Sequence, residues 1–275
     1  MAGTLYVVAT PLGNLGDLSP RAADTLKRVA VVAAEDTRHS KPLLHHAGSH
    51  AELISFHEHS SDRTLERIVR ILTDGRDVAL ITDAGTPAIS DPGVALVAAA
   101  RERGIQVVTI PGPNAVAASV AVSGISGDRY LFLGFLPRKG SDRRRFLLTA
   151  ARSEWTVVMF EAPNRVTQLL ADLIEVCGPE RQAVVSRELT KVFEETRAGT
   201  LQELSEHYAE APVRGEVTVV LSGTGKEHVE EPPPDPGERA KALLAQGLSR
   251  KDVAHRLAEE TGISRNAAYR LVSEL

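Results

Sequence analysis

The sequence contains a single cysteine, Cys177, among 275 residues. One thiol cannot form an intramolecular disulfide, and a chain without disulfides is typical of a reducing compartment. We therefore expect a protein of the cytoplasm. Cys177 stands at the end of a helical pattern, just before Gly178, and a plain buried thiol is its expected role because free cysteines are commonly buried.

Membrane segments are also absent. No apolar run approaches the roughly 20 residues that a membrane-spanning helix needs, so we expect no membrane partner. The first ten residues, MAGTLYVVAT, have no basic region before their apolar stretch, which argues against a secretory signal.

Familiar ligand motifs are missing as well. No loop matches the phosphate-binding pattern G-x-x-x-x-G-K-[ST] or the dinucleotide pattern G-x-G-x-x-G, which disfavours nucleoside triphosphates and dinucleotides as ligands. His57 and His59 lie two residues apart without a nearby cysteine or an H-E-x-x-H pattern, so we expect no metal site. The net charge of −4, taken alone, argues against nucleic acid, but the distribution of charge along the chain matters more than its sum.

The first 124 residues alternate between short β-branched apolar runs and helical patterns. Helix signals include Ser19-Pro20 as a cap and first residue, and Gly75 and Gly104 as ends. The expected strands are Thr4–Thr10, Val31–Glu35, Leu53–Phe56, Val78–Thr82 and Val107–Ile110. This alternation predicts a parallel sheet with helices on its faces.

The pattern changes after the stretch GISGD, residues 124–128. Expected strands are Tyr130–Phe135, Trp155–Glu161, Ala183–Glu188, Glu195–Thr200 and Glu216–Leu221. Expected helices are Arg144–Arg152, Arg165–Val176 and Leu201–Ala209. The short links between the last strands indicate a mixed sheet, and therefore a second α/β domain.

The last 50 residues differ again in composition. A charged, proline-rich stretch, KEHVEEPPPDPGE, is typical of an extended linker. After it, Ser249 and Ser264 are good helix caps, each following a glycine and an aliphatic residue, which is the outline of a helix-turn-helix. The predicted organisation is an N-terminal α/β domain at 1–124, a second α/β domain at 125–224, a linker at 225–237 and a helical tail at 238–275.

Three loops that follow strands of the first domain are rich in glycine and proline. They are residues 10–14 (TPLGN), residues 83–93 (DAGTPAISDPG) and residues 111–115 (PGPNA). Open α/β sheets bind ligands at the carboxyl ends of their strands. Glycine lets backbone approach a ligand closely and proline fixes the loop, so three such loops at one edge predict a preshaped ligand site.

Charged stretches give further candidates. Residues 34–39 (AEDTRH) and 56–59 (FHEH) follow strands of the first domain and could face a substrate or simply be surface charge. Residues 137–145 (PRKGSDRRR) contain five cations in nine residues, a density that suits contact with a polyanion backbone. A solvated loop leading into a helix is the alternative for that stretch.

Eight stretches together resemble a known family. In chain order they are VATPLGNLGDLSPRA, AEDTRHS, ITDAGTPAISDPG, IPGPNA, FLGFLPRKG, FEAPNR, SRELTK and GEVTVVLSG. They are similar to those of the bacterial small-subunit (16S) ribosomal RNA cytidine 2′-O-methyltransferases, which belong to the tetrapyrrole (corrin/porphyrin) methylase superfamily. The resemblance covers about residues 3–224, and the tail resembles the helical extension of some members less closely.

The resemblance implies two α/β domains with S-adenosylmethionine held in the cleft between them, and a homodimer. Residues 83–87, Asp-Ala-Gly-Thr-Pro, stand in the loop that ends Gly-Asp-Pro in the porphyrin enzymes. The implied cofactor contacts are Pro11, Asp83, Gly85, Thr86, Pro87, Ser90, Asn114 and Ala115, with Glu161 and Leu189 from the second domain.

The implied reaction is methyl transfer to a ribose 2′-hydroxyl in the decoding centre. Since a ribose hydroxyl is a poor acid, a base or nearby cation should help to remove its proton. The candidates for that role are Asp36, Arg38, His57 and Lys191. The candidates for gripping RNA phosphates are Arg138, Lys139, Arg143, Arg144 and Arg145, with Arg250, Lys251, Arg265 and Arg270 in the tail.

Two other functions stay open at this point. Methylation of a small tetrapyrrole would fit the superfamily but would leave the arginine-rich loop without a purpose. A ligand-sensing body with a DNA-binding tail would instead read the major groove through Arg265, Asn266, Tyr269 and Arg270.

Overall fold

A computed structural model describes residues 2–210, 213–225, 235–261 and 263–275 of the chain. The described chain divides into two compact units. The first contains Met1–Pro137 and Trp155–Ser222, and the second contains Arg138–Glu154 and Gly223–Leu275.

The N-terminal part of the first unit is a five-stranded parallel sheet. Its strands are β1 (Thr4–Val8), β2 (Val31–Ala34), β3 (Glu52–Ser55), β4 (Val78–Ile81) and β5 (Gln106–Ile110), in the order β3-β2-β4-β1-β5. Its helices are α1 (Pro20–Arg28), α2 (Thr37–His46), α3 (Asp62–Thr73), α4 (Val94–Glu102) and α5 (Ala115–Ser123). The predicted parallel sheet is confirmed, and every strand points its carboxyl end to the same edge.

Burial on both faces explains why the strands read as continuous apolar runs. All four residues of β2 and of β4 are buried, and one apolar core lies on each side of the sheet. The predicted start of α1 is confirmed, because Ser19 Oγ accepts a hydrogen bond from the Ala22 amide at 3.1 Å.

Two helices, α2 and α5, were absent from the expected elements. Helix α2 contains Pro42 and three histidines, residues that weaken a helical pattern. Apart from Ser119 and Ser123, which are buried, helix α5 is apolar, so it lacks the polar face and the 3.6-residue periodicity that reveal an amphipathic helix. It packs against the second sheet, where Val116 contacts the same cluster as Val158, Val184 and Val220.

The C-terminal part of the first unit is the predicted mixed sheet. Its strands are β6 (Tyr130–Phe135), β7 (Thr156–Glu161), β8 (Gln182–Arg187), β9 (Glu195–Thr200) and β10 (Val217–Leu221), in the order β6-β7-β10-β8-β9. Strands β6 and β7 are parallel, and the other pairs are antiparallel. Helices α7 (Val166–Cys177) and α8 (Leu201–Glu210) complete this part.

The second unit is helical. It contains α6 (Gly140–Arg152), α9 (Pro236–Ala245), α10 (Arg250–Thr261) and α11 (Arg265–Ser273). The three predicted tail helices are confirmed. Ser249 Oγ accepts from the Asp252 amide at 3.2 Å, and Ser264 Oγ accepts from the Ala267 amide at 3.2 Å. An apolar core built on Leu243, Leu257 and Val272 holds α9, α10 and α11 together.

The grouping of α6 with the tail was not indicated by the sequence pattern. Helix α6 also begins at Gly140, four residues before the expected start. Most of the predicted linker, 226–234, lies outside the described residues, and α9 already begins at Pro236 with Asp235 as its cap. The domain boundaries at 124 and 224 stay a prediction.

The structure also bears on the single cysteine and on membrane-spanning helices. Cys177 is a free thiol that is half-buried, and burial raises its pKa. Among the described helices, none is long and apolar enough to cross a membrane.

Candidate active site

The three glycine- and proline-rich loops form one connected layer at the carboxyl edge of the first sheet. Thr10 and Gly85 exchange both backbone hydrogen bonds, at 2.8 and 3.1 Å. Thr86 Oγ1 donates to the Pro113 carbonyl at 3.2 Å, and Asn114 Nδ2 donates to Thr86 Oγ1 at 3.3 Å. The loops after β1, β4 and β5 are therefore fixed to one another before any ligand arrives.

Backbone strain is concentrated in two loops. Among the described residues, four that are not glycine have a positive φ: Ala88 (68°), Ser90 (59°), Glu188 (50°) and Thr190 (65°). The first two lie in the loop 83–93 after β4, and the other two lie between β8 and β9. Such conformations are uncommon for residues with a Cβ and cluster at ligand-binding sites, which marks both loops as functional.

These two strained loops each bridge the two sheets of the first unit. A Cβ on Gly13, in the loop after β1, would clash with the Lys191 side chain from the β8–β9 loop. A Cβ on Gly134 of β6 would lie 3.1 Å from Ser90 Oγ. Loops from both α/β parts therefore meet between the two sheets, where the resemblance implies the cofactor cleft.

Carboxylates gather at the middle of the loop layer. Glu35 follows β2 and accepts a 2.6 Å hydrogen bond from Thr82 Oγ1 at the end of β4. Asp83 Oδ1 accepts from the Asp36 amide at 3.2 Å, and its Oδ2 lies 3.1 Å from His39 Nδ1. The strand order explains this meeting, because β2 and β4 are neighbours in the sheet.

This arrangement fits S-adenosylmethionine. Glycines at Gly85 and Gly112 let the loops pack tightly, because a Cβ at either position would press on Leu12 or Ala9. The sulfonium of the cofactor is positive, and the carboxylates of Glu35 and Asp83 supply negative charge at the same edge. The rigid loop layer and its negative charge therefore fit a cationic cofactor such as S-adenosylmethionine.

All predicted cofactor contacts of the first domain lie in the connected layer. They are Pro11, Asp83, Gly85, Thr86, Pro87, Ser90, Asn114 and Ala115. The Asn114 side chain is already occupied, because its Oδ1 caps α5 by accepting from the Ala117 amide at 3.1 Å. Contact of this residue with a cofactor would therefore involve its backbone.

The two contacts predicted from the second α/β part differ in setting. Glu161, at the end of β7, is buried, accepts from the Ala162 amide at 2.9 Å and lies 3.4 Å from Arg165 Nη2. Leu189 is half-buried and lies between the two strained residues of the β8–β9 loop. The assignment of all ten residues to the cofactor stays a prediction.

The candidates for proton removal are not equally suited to it. Hydrogen bonds from Arg38 hold the pKa of Asp36 well below its usual range, and Asp36 also caps α2. A carboxylate held ionised in this way is a weak base. Asp36 is therefore better suited to fixing Arg38, whose side chain is 84% exposed, than to accepting a proton.

Lys191 is held by two carboxylates, and His57 lies beside an edge strand. Burial lowers the pKa of Lys191, but its bonds to Glu188 at 3.0 Å and Glu216 at 3.2 Å raise it by more, so the net shift is upward. Lys191 therefore stays protonated and suits a charge-orienting role. His57 follows β3, an edge strand of the sheet, and its Nδ1 accepts from the His59 amide at 3.2 Å.

The structure corrects one member of the predicted RNA-binding set. Arg138, Lys139, Arg144 and Arg145 are exposed, with Arg145 lying 3.2 Å from Asp142. Arg143 is only 7% exposed, because it occupies the inward face of α6 together with Leu147 and Ala150. A buried guanidinium cannot reach a phosphate, so Arg143 is removed from the set.

Glu35, Thr82 and Asp91 received no individual role from the sequence, although Glu35 is part of the charged stretch 34–39 and Asp91 is part of the loop 83–93. All three occur in the motifs that carried the resemblance, but their meeting depends on strand order. The sequence does not say that the strand ending at Glu35 neighbours the strand ending at Thr82. A prediction that β2 pairs with β4 would have indicated that Glu35 and Thr82 lie side by side.

Comparison with known proteins places the chain among methyltransferases. The family model described as Tetrapyrrole (Corrin/Porphyrin) Methylases matches residues 4–205. A protein of Pseudomonas aeruginosa named ribosomal RNA small subunit methyltransferase I is 45% identical over 98% of this chain and 96% of its own. Proteins of the same name from Xylella fastidiosa and Synechocystis are 44% and 42% identical, each covering at least 97% of both chains.

Solved structures share the fold at low sequence identity. A cobalt precorrin-4 methyltransferase superposes with a TM-score of 0.61 at 18% identity, covering 80% of this chain and 94% of its own. A uroporphyrin-III C-methyltransferase from Thermus thermophilus, complexed with S-adenosyl homocysteine, gives 0.58 at 19% identity, with coverages of 80% and 97%. With the sequence matches over nearly full length, these results lead to one conclusion: the chain belongs to the tetrapyrrole methylase family and, within it, to the ribosomal RNA small subunit methyltransferases I.

Proposed function

We propose that this chain transfers a methyl group from S-adenosylmethionine to the ribose 2′-hydroxyl of a cytidine in the decoding centre of 16S ribosomal RNA. The observation that carries the proposal is the near full-length identity of 38–45% with proteins named for small-subunit ribosomal RNA methylation. Structures of tetrapyrrole enzymes are only 17–21% identical, and such likeness supports the fold alone.

The residues of the cleft would divide the work between two walls. The loops after β1, β4 and β5 would hold the cofactor through backbone groups of Pro11 and Ala115, and Gly85, whose own N–H and C=O bond Thr10, would line the site. Leu189 would cover the cofactor from the other sheet. S-adenosylmethionine supplies the methyl group as a good electrophile when bound, so the protein mainly orients the reactants. Lys191, fixed by Glu188 and Glu216, would place a positive charge near the oxygen that loses its proton.

The direct test is a methyl-transfer assay with labelled S-adenosylmethionine and small ribosomal subunits that lack the modification. We expect label at one cytidine ribose of 16S RNA. Naked 16S RNA, assembled subunits and a porphyrin precursor form the parallel arms. Transfer to the porphyrin precursor with none to either RNA substrate would overturn the proposal, whereas the two RNA arms decide which form of the RNA is the substrate.

The exposed cations before α6 give a prediction about RNA affinity. Replacing Arg138 and Lys139 by glutamine should weaken binding of small subunits about tenfold or more near 0.1 M salt, because each phosphate contact releases counterions. The slope of log affinity against log salt should fall by about two, one for each lost contact. The measurement is a filter-binding titration at several salt concentrations.

A matched control for that pair is the adjacent cation pair Lys27 and Arg28, both exposed at the end of α1. The same double change to glutamine there removes equal charge and should leave the salt slope within experimental error of the unmodified protein. Equal loss of slope from both pairs would mean that binding responds to net charge alone and that the Arg138–Lys139 stretch has no special contact.

We further propose that the protein works as a homodimer in the cytoplasm. Val192 and Phe193, in the β8–β9 loop, are 92% and 71% exposed, and adjacent apolar side chains with such exposure favour a protein partner. Light scattering at micromolar concentration should give twice the chain mass of 29.5 kDa. A monomer mass across the accessible concentration range would reject the dimer without affecting the proposed reaction.

A further inference from the structure

His39 and Asp83 form a hydrogen-bonded pair at the carboxyl edge of the first sheet. His39 Nδ1 lies 3.1 Å from Asp83 Oδ2, and Asp83 Oδ1 accepts from the Asp36 amide at 3.2 Å. Both oxygens of the Asp83 carboxylate therefore have a partner, and one of these partners is the backbone itself. A carboxylate held in this way orients the imidazole that it contacts.

The pair decides which nitrogen of His39 carries the ring hydrogen. An ionised carboxylate only accepts hydrogen bonds, so Nδ1 must be the donor in this contact. In the neutral ring, Nε2 then keeps its lone pair. Among the residues that the structure describes, none hydrogen-bonds Nε2, and the His39 side chain is 72% exposed. Nε2 is therefore available to accept a proton from a ligand.

A cavity of about 150 Å³ adjoins this pair. His39 and Asp83 line it together with Pro11 and with apolar side chains that include Leu12 and Leu43. A cavity of about this volume holds a benzene ring, and a ribose ring is of similar size. Since Pro11 and Asp83 are also predicted cofactor contacts, the cavity borders the place expected for the methyl donor.

The charged groups near His39 come from the ends of β2 and β4 and from the start of α2. Asp83 contacts the ring, and Glu35 accepts its hydrogen bond at the end of β4. Asp36 and Arg38 lie beside His39 in the chain and pair with each other at 2.6 Å. The Asp83 carboxylate, bonded to Nδ1, would stabilise the ring once Nε2 has taken up a proton.

A cation lies at the same cavity. Gly13 is part of the cavity wall and packs against the side chain of Lys191 as far as Cε. The Lys191 ammonium is held by two carboxylates and stays protonated. The cavity thus combines a proton acceptor with a positive charge, the two groups that ionisation of a hydroxyl requires.

We infer that His39 is the general base that accepts the proton of the ribose 2′-hydroxyl through Nε2, and that Asp83 is the positioning residue that holds Nδ1. The inference rests on the proposed function. It adds a catalytic residue that is not among the four candidates taken from the sequence.

The proton and electron balance of the step is complete. The O–H bond of the ribose breaks, and its proton moves to His39 Nε2. The freed oxygen pair forms the new bond to the methyl carbon, and the sulfur keeps the pair of the broken carbon–sulfur bond. The imidazolium, stabilised by Asp83, then loses its proton to water before the next turnover.

The kinetic test is the pH dependence of single-turnover methyl transfer to small ribosomal subunits. The rate of the unmodified protein should rise with pH and level off once the ring is neutral. His39→Gln should lower the plateau rate by about 100-fold or more and remove the acidic limb, because a carboxamide does not take up the proton. Binding of S-adenosylhomocysteine to this variant should stay normal, since the proposed role concerns the substrate proton.

Asp83→Asn tests the positioning role through the hydrogen on the ring. The Asp36 amide donates to Oδ1, so the carbonyl oxygen of an asparagine would stay at that place and its NH₂ group would face His39. The NH₂ group would donate to Nδ1, which moves the ring hydrogen to Nε2 and removes the acceptor. Methyl transfer should then slow by about 100-fold or more.

Nitrogen NMR of protein with labelled histidine rings reports this change without cofactor or RNA. At a pH where the ring is neutral, His39 should carry its hydrogen on Nδ1 in the unmodified protein and on Nε2 in Asp83→Asn. The signal is assigned by its loss in His39→Gln. A hydrogen on Nε2 in the unmodified protein would overturn the inference whatever the activity.

His46→Gln is the matched control, the same change at an exposed position near the end of α2. Its rate, acidic limb and His39 signal should equal those of the unmodified protein. A plateau rate of His39→Gln equal to that of His46→Gln would overturn the role of His39 while leaving methyl transfer intact. Absence of transfer to RNA by the unmodified protein would instead reject the proposed function.

Discussion

Gly85→Val should weaken the binding of S-adenosylmethionine by at least about 100-fold, equivalent to about 3 kcal/mol of binding free energy. Gly85 has a φ of 87°, a conformation that a β-branched residue adopts only at a cost of about 1–3 kcal/mol. Its new side chain would also press on Leu12, whose Cδ2 would lie 3.3 Å from the added Cβ. Relief of both strains moves the loop and breaks the double hydrogen bond with Thr10.

The control for Gly85 is Gly104→Val. Gly104 also has a positive φ, 67°, but it follows α4 at the opposite end of the strands, and a Cβ there has no heavy atom within 4 Å. This variant should lose only the stability that the conformation costs, about 1–3 kcal/mol, and keep normal cofactor affinity. Calorimetric titration of both proteins is the measurement. Equal affinity for the cofactor in both variants would contradict the role of the loop layer.

Gly215→Ala should lower the free energy of unfolding by about 2–3 kcal/mol, which shifts the melting temperature by about 5–10 °C for a protein of this size. Gly215 has a φ of 79°, and a Cβ there would collide with the carboxylate of Glu188. Glu188 has a φ of 50° and holds Lys191, so displacing it also disturbs the wall of the cleft that faces the first sheet.

Gly124→Ala separates strain from collision. Gly124 ends α5 in the left-handed conformation with a φ of 70°, close to that of Gly215, but a Cβ there meets no heavy atom within 4 Å. It should therefore lose only the conformational part, about 1 kcal/mol. Thermal unfolding of the two variants side by side gives the difference. If both lost the same stability, the close contact between Gly215 and Glu188 would have no energetic weight.

Much of the fold followed from local signals. Buried strands such as β2 and β4 were predictable because their sequences are continuous apolar runs. The first residue of α1 was predictable because Ser19 is a typical helix cap. The carboxyl-edge location of the three Gly/Pro loops then followed from the parallel sheet alone. Helices α2 and α5 were not predicted, because neither has the apolar periodicity of an amphipathic helix. Helix α2 contains a proline and several polar residues, and helix α5 has almost no polar residues.

The site was harder to predict because its chemistry depends on strand order and burial. Arg143 and Arg144 are indistinguishable in sequence, yet only one faces outward from α6. Asp36 and Asp91 both follow strands, but Arg38 lowers the pKa of the first while burial raises that of the second. Neighbours distant in sequence decide these differences, and a single sequence does not give them.

Calorimetry with the unmodified protein tests directly whether the cleft binds S-adenosylmethionine. Titration with S-adenosylhomocysteine at high protein concentration, with and without small subunits, should give saturable heat with one site per chain. Absence of heat under both conditions, confirmed by equilibrium dialysis with labelled S-adenosylmethionine, would contradict that claim.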